Sequence, residues 1–490
     1  MNKLALAIYL TCLLNVAPSG AEEPKGPEPW SLGQCINAAL QNQVDVLSAR
    51  NNVLIARSRT VRAFSNYFPQ LSVQNNAFAA GSRRGVLGEV STGTALTVTQ
   101  NIFDGGLREA NVLSARYSVR ANLAGLARTE QTVIFAVTSA YYELLRARHL
   151  EEVARKNVQY NEELRKQVEA MVGEGEAAKI DILPVEAQLA TARVNLLSAQ
   201  NAVRTAAIRL QNEMGFAPQP GFDIREIEAP PDQGIASLDI YLHRALENRP
   251  DVIQRQAIVG SARAELKSAR LALYPRPVIT GEYQHRVYGG LTSSATQIVG
   301  GFVFDIFNGR ANQAACREAE ASRENAELQL KQLEKDIRAQ VEEAYLNLTS
   351  ARERVTAAAA GLKAAEANYE AQKSRYAQGL GTTLDLLNAE VQLVTAQTNE
   401  VQARYDYYTA IAQMHYATGE VVAMERDPGV FGGSTVVNEA GESPKKRISQ
   451  QPSELSIPTF AESPGVLNTA ADSGTATGAA FDDTRTRRGL

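Results

Sequence analysis

Residues 31 to 69 of this chain recur without a gap at residues 237 to 275, and a tandem duplication of this kind sets the architecture before any single side chain is assigned. Ala39-Leu40 falls on Ala245-Leu246, Asn42 on Asn248, Asp45-Val46 on Asp251-Val252, and Ala56-Arg57 on Ala262-Arg263. The register then slips slightly and holds again. Ile102-Phe103 falls on Ile306-Phe307, Ala140-Tyr141 on Ala344-Tyr345, Gly175 on Gly379, Asp181 on Asp385, Glu186 on Glu390, and Gly215 on Gly419. Two structural repeats are therefore expected, at 31–216 and 237–420, joined by a linker at 217–236.

The slip falls where the chain changes character. Segments 71–80 and 94–103 flank a glycine-rich stretch, and 277–287 and 297–307 flank Tyr288-Gly289-Gly290. Each is about ten residues long, the length a tilted strand needs to cross a bilayer. Leu96, Val98 and Ile102 alternate with Thr97, Thr99 and Asn101, and Ile279, Tyr283 and Val287 alternate with Thr280, Glu282 and Gln284, so one face suits lipid and the other water. In the first strand Gln74 and Asn76 share a face with Phe78, the weakest alternation of the four. Four strands are too few to close, and an open edge is not tolerated in lipid. Two copies would give eight strands and a nearly filled interior; three give twelve and room for a conduit, so a homotrimer is expected.

The rest of the two repeats reads helical. No proline interrupts Leu107 to Val172 or Arg310 to Gln378, enough for helices about 100 Å long. After each, heptad seams follow: Ile182, Val185, Leu189, Ala192 and Leu196 in the first copy, and in the second two parallel seams through Leu384, Leu387, Val391 and through Leu386, Ala389, Leu393. Two seams imply two neighbours and hence a ring of helices, whereas a dimeric rod would show one.

Residues 1–21 have the form of a secretory signal, with Lys3, the apolar run Leu4–Val16 and small residues at Ser19-Gly20-Ala21, followed by a short lead at 22–30. The mature chain keeps Cys35 and Cys316, too far apart for a zinc or redox motif. Lys plus Arg number 50 against 54 Asp plus Glu, a net charge of −4 that recommends no nucleic-acid partner. There is no Walker loop, GxSxG or HExxH motif, and the four histidines are scattered, so no catalytic, cofactor or metal residues are assigned and no enzyme is expected. The tail, 421–490, is rich in Ser, Gly, Pro and Thr with a basic cluster at Lys445-Lys446-Arg447 and is expected to be disordered. Two other readings remain open at this stage: a periplasmic adaptor, which would need a β region split around one helical hairpin, and an envelope-spanning structural coiled coil.

In order along both copies stand the SLxxxLxxALxNxxDV-like openings at Ser31 and Ser237, Pro69 and Pro275 before each strand pair, the turns at Phe103 and Phe307, the AYxxL segments at Ala140 and Ala344, and the Gly-x5-Asp turns ending at Asp181 and Asp385. With these marks the chain resembles the TolC-type outer-membrane factor family from about Ser31 to Gly419. The resemblance implies a mixed, mainly α fold: a trimeric outer-membrane β-barrel of four strands per protomer, continued by a long periplasmic α-helical barrel. It implies an exit duct in the outer membrane of a Gram-negative bacterium, docking through a periplasmic adaptor (a membrane fusion protein) onto an inner-membrane ABC or RND-type transporter, for small-molecule efflux or type I protein secretion. It further places a constriction ring at Asp385 and Asn388, the latter where the best-known member has an aspartate, and a latch between Tyr376 and Asp181 whose arginine position is Gly381 here. Gly175 and Gly379 are expected adaptor contacts, since glycine lets another backbone approach closely. Both Asp181 and Asp385 are also well placed to cap the helices that follow.

Overall fold

The structure, a computed structural model, describes residues 29–81, 87–175, 178–227, 234–288 and 291–420. The signal segment, most of the lead and the tail lie outside the described residues. The first repeat runs α1 (Leu32–Asn42), α2 (Val44–Ser65), β1 (Gln70–Gly81), β2 (Leu87–Phe103), α3 (Leu107–Glu174), a 3-10 turn (Lys179–Asp181) and α4 (Ile182–Glu213). The second repeats it: α5 (Leu238–Asn248), α6 (Pro250–Leu271), β3 (Arg276–Tyr288), β4 (Leu291–Val303), α7 (Ala311–Ala377) and α8 (Thr383–Thr418). At 68 and 67 residues, α3 and α7 each extend about 100 Å. No described helix is apolar enough over a sufficient length to cross a membrane.

The strands form one antiparallel sheet in the order β1-β2-β3-β4, so the two hairpins of the two repeats pair side by side. Register decides what each face carries, because directly opposed residues point the same way. Val98 stands opposite Leu71 and Tyr283, and Leu96 opposite Val73 and His285, while Thr99 stands opposite Gln70 and Glu282, and Thr97 opposite Ser72 and Gln284. The apolar and polar sets of β2 and β3, with the start of β1, thus fall on opposite faces, whereas β4 is mixed, with Thr296 opposite Tyr283 and Val299 opposite Thr280. β2 begins at Leu87, well before the expected 94, because its pairing with β1 carries on through the glycines. β4 starts at Leu291 and stops at Val303, so Phe304 to Phe307 lie beyond it, in contrast to the expected 297–307. Its partner β3 opens at Arg276, opposite Val303, and the preceding Pro275 has no N–H to extend the ladder.

Arg108 joins sheet to helices. It is buried, ion-pairs with Asp104 at 3.2 Å, and donates to the carbonyls of Asn101 (2.7 Å) and Ile102 (3.0 Å) at the end of β2 and of Asn66 (3.3 Å) at the end of α2. Next to the sheet, α2, α3, α6 and α7 pack in that order; toward the far end α4 packs on α3, and α8 packs on both α7 and α3. Of the two expected seams, Leu386, Ala389 and Leu393 are buried within the chain, whereas Leu384 and Val391 of the other are exposed and only Leu387 is covered.

Each repeat closes on itself in the same way. A single extended residue, Gln43 (ψ 127°) or Arg249 (ψ 124°), separates the short first helix from the second. Against that break lies the glycine ending the last helix: Gly215 (φ 77°) against Asn42–Gln43 and Gly419 (φ 74°) against Arg249. A Cβ on Gly215 would stand 2.9 Å from the carbonyl carbon and oxygen of Asn42, and one on Gly419 3.0 Å from Arg249 Cα. Both glycines are in the left-handed region that ends a helix through paired backbone bonds, Phe216 N to Gln211 O and Glu420 N to His415 O, each 2.9 Å. Around these closures sit the two larger cores. One gathers Cys35, Val137, Tyr141, Leu144, Leu210 and Met214; the other gathers Ala245, Ile337, Val341, Ala344 and Met414. Two residues before α1, Trp30 is tied to the inter-repeat linker by a parallel bridge with Ile224, beneath which the Tyr141 hydroxyl donates to the carbonyls of Arg225 and Trp30.

Candidate functional site

Two regions of the protomer carry polar chemistry along a possible path: the helix tip farthest from the sheet and the polar face of the sheet. At the tip, α3 ends on Gly175 (φ 84°), whose N–H bonds the carbonyls of Met171 and Val172. α7 ends through Gly379 (φ 71°), with Gly379 N bonded to Tyr376 O (3.0 Å) and Leu380 N to Arg375 O (2.9 Å). A side chain at either glycine would meet open space, so each makes its turn and presents bare backbone outward. Around them Ile180, Leu183, Leu380 and Leu384 are exposed apolar side chains on the two turns.

α8 starts from a full capping box. The Thr382 hydroxyl accepts from Asp385 N (3.1 Å) and donates to Asp385 Oδ2 (2.7 Å), and Thr382 N donates to the same oxygen (3.2 Å). These bonds, with a smaller contribution from Arg375, hold the Asp385 carboxyl below its usual range, so it is charged at neutral pH. Asn388, three residues on, is exposed on the same helix face. Asp385 is thus a cap and still an outward-facing charge.

The two latch residues are not brought together. The Tyr376 hydroxyl lies 3.6 Å from Met171 Sδ on α3, and the Asp181 carboxylate instead accepts from Ala178 N at 3.1 Å. This turns back the expectation that Asp181 caps α4: its carboxylate closes the short 3-10 turn before the helix and makes no cap bond to it. At Gly381, a Cβ would stand 3.3 Å from Tyr376 N, so the tight turn leaves little room for the missing arginine.

Behind the tip, α3, α4, α7 and α8 share an apolar cluster of Leu164, Val168, Val185, Tyr369, Leu386, Leu387 and Leu393. Set into it is a carboxylate that inspection of the sequence overlooks. Glu390 is only 2% exposed and accepts from Asn161 Nδ2, which also bonds Asn157 Oδ1 at 2.8 Å. Its signal is present in the chain: asparagines four apart on α3, facing a glutamate that lies between the two seams of α8.

The second region is the sheet's polar face, where Thr97, Thr99, Asn101, Glu282 and Gln284 stand in register. The Glu282 carboxylate is held along the wall by Gln297 Nε2 (2.7 Å) on β4 and by Gln284. Arg286, two residues on, shares this face and is opposed by Ser293.

The family model described as "Outer membrane efflux protein" matches residues 35–215 and 241–420, one span in each repeat. Among curated relatives, the outer membrane efflux protein BepC of Brucella suis is 26% identical over 405 residues, covering 79% of this chain and 84% of BepC. Protein CyaE of Bordetella pertussis is 26% identical over 405 residues, covering 80% and 84%. Among solved structures, the outer membrane protein VceC of Vibrio cholerae superposes with a TM-score of 0.69 at 19% identity, covering 79% of this chain and 96% of VceC. With a duplicated chain, a four-stranded sheet of two faces and helices long enough to continue it, the agreement extends over the whole described fold. The chain belongs to the outer membrane efflux protein family, with the mainly α fold of the trimeric outer-membrane channels, and resides in the outer membrane with its helices in the periplasm.

Proposed function

We propose that three copies of this chain form an exit duct that passively carries substrates from an inner-membrane transporter and its periplasmic adaptor to the outside. The observation that carries this reading is the sheet: four antiparallel strands, alternating apolar and polar along β2 and β3, open at β1 and β4, and continuous with helices about 100 Å long. An unclosed sheet in lipid leaves two ladders of unpaired N–H and C=O groups, and pairing β4 of one copy with β1 of the next removes both. Twelve strands then enclose a lumen lined by the face that carries Thr97, Thr99, Glu282 and Gln284.

At the other end, Asp385 and Asn388 of three copies form the constriction, with one ring of three carboxylates. The turns at Gly175 and Gly379, with bare backbone beside exposed Ile180, Leu183, Leu380 and Leu384, receive the adaptor. The latch reduces to the contact of Tyr376 with Met171, without Asp181. The likeness to BepC, an outer membrane efflux protein, supports an efflux role, and that to an alkaline protease secretion protein of Pseudomonas aeruginosa, 24% identical over 330 residues, supports protein secretion as the other cargo class.

The test is planar-bilayer recording of the detergent-extracted, full-length protein together with its mass by light scattering. The expected result is a trimer giving discrete, cation-preferring conductance that loses cation block in Asp385→Ala. A monomer or dimer without conductance would refute the duct, and unchanged block in Asp385→Ala would refute the ring.

A further inference from the structure

Among the described residues three charged side chains are buried: Arg108, Arg249 and Glu390. Arg108 is paired with Asp104 at 3.2 Å and Arg249 with Asp251 at 2.6 Å. Glu390 differs, because what reaches its carboxylate is an amide. Asn161, fully buried on α3, donates to it and to the Oδ1 and main-chain oxygens of Asn157 (2.8 and 2.9 Å), while its own Oδ1 has no donor. A buried carboxylate held by a neutral amide is costly when ionised, since its charge is neither hydrated nor compensated.

Every helix packed here leaves that charge uncompensated. From α3 it is faced by Asn157 and Asn161, and from α7 by Tyr369, whose ring lies 5.9 Å from Tyr160 of α3. The acidic Glu163 and Glu370 act on that tyrosine too, and Lys373 sits 6.0 Å from its ring. α4 presents Val185, Leu189 and Ala192 to this stretch of the bundle. The duplication supplies an internal comparison: Glu186, the counterpart of Glu390 in the first repeat, is exposed on α4. Within the single chain the same residue in the same register is buried only in the second copy, where α8 has both helix neighbours from its own chain, five residues along α8 from Asp385, or roughly 7 Å.

We propose that Glu390 is a proton-sensitive wedge between α8 and α3, which seats the second-repeat tip hairpin firmly when protonated and loosens it when ionised. Protonation removes the uncompensated charge while Asn161 Nδ2 still donates to the carboxyl oxygen. Burial raises the carboxyl to about 7, against the opposing bond from Asn161, placing the change near physiological pH. The sign follows from the raised value. The packed state keeps a proton that an exposed glutamate gives up near 4.5, so the seam is firmest below that pH, weakens as pH climbs toward 7, and is flat above.

The link from seam to tip opening rests on the duct reading, so the test separates the two. Hydrogen exchange of full-length protein in detergent, corrected for intrinsic rates, is followed in segment 386–394 from pH 5 to 8. The wild type is expected to lose protection by up to about tenfold per pH unit between 5 and 7. Glu390→Gln should be flat, as should Glu390→Leu, which keeps the seam filled if the amide folds poorly. Equal pH dependence in wild type and both variants overturns the wedge. In parallel, open probability in bilayers should rise over the same pH range in wild type and in Asp385→Asn, but not in Glu390→Gln. A seam that responds while open probability does not overturns the coupling to the tip. If none of the proteins conducts, the duct reading fails while the exchange data still decide the wedge.

Discussion

Replacing Gly215 or Gly419 by alanine should loosen the closure of its repeat far more than the same change at Gly379, although all three glycines have nearly the same backbone angle, with φ of 77°, 74° and 71°. The left-handed conformation costs a non-glycine residue about 1–2 kcal/mol, and this is common to the three. Alanine's lower entropy in the unfolded chain, worth about 0.4–1 kcal/mol, is also common and cancels in the comparison. What differs is the space. At Gly379 the new methyl meets nothing within 4 Å, whereas at Gly215 it stands 2.9 Å from the Asn42 carbonyl and 3.1 Å from Gln43 N, and at Gly419 3.0 Å from Arg249 Cα. These are backbone atoms at a fixed break between two helices, so relief requires moving a helix end, an overpacking cost of about 1–3 kcal/mol. The assay is native-state hydrogen exchange at Phe216 and Glu420, whose N–H groups close the two helix ends. Exchange there should speed up about 5- to 150-fold more in Gly215→Ala and Gly419→Ala than exchange at Leu380 does in Gly379→Ala. Equal effects at all three sites would refute the close-approach reasoning and leave backbone angle as the sole cause.

Tyr141→Phe should release the linker from the core: the lost hydroxyl serves the carbonyls of Arg225 and Trp30, and a cost of about 1–2 kcal/mol should raise tryptic cleavage after Arg225 by roughly 5- to 30-fold. Thr382→Ala removes the capping box and should fray the start of α8 by about 1 kcal/mol, seen as faster exchange at Asp385 and Leu386. The same change should let the Asp385 carboxyl climb back toward 3.8 in a carbon-13 NMR titration. Because that group is depressed in the folded protein, its contribution to the cap is present above 3.8 and disappears as pH falls through the lower folded value.

What the chain alone determined is what repeats and what alternates. The two copies, the α3 and α7 lengths and the seam Val185-Leu189-Ala192 follow from spacing, since burial on one flank of a helix imposes period 3.6 wherever it occurs. The facing of β2 and β3 follows in the same way from period 2, because a one-residue slip would carry Leu96 and Val98 onto the face of Thr97 and Thr99. Strand ends were less legible. The pairing of β1 with β2 passes through glycines that read as loop, and β4 ends at Val303, opposite Arg276, the first residue of its hairpin partner β3. The Tyr376–Asp181 pair also could not be judged from spacing, because Ala178 N claims the aspartate first.

Two features belong to the tertiary structure alone. The first repeat breaks at Gln43 with Val44 following, where the second has Pro250 to start its helix, so in the first copy local sequence does not force the break that the docking of Gly215 accompanies. Glu186 and Glu390 are the same residue at the same place in the duplication, yet within the single chain one is exposed and the other is 2% exposed. Within its own chain α4 packs mainly on α3 and leaves that register position open, whereas α8 lies between α7 and α3 and carries the same position into contact. Sequence periodicity records that a face is packed; which copy of a face meets a second neighbour depends on where the chain folds its other half.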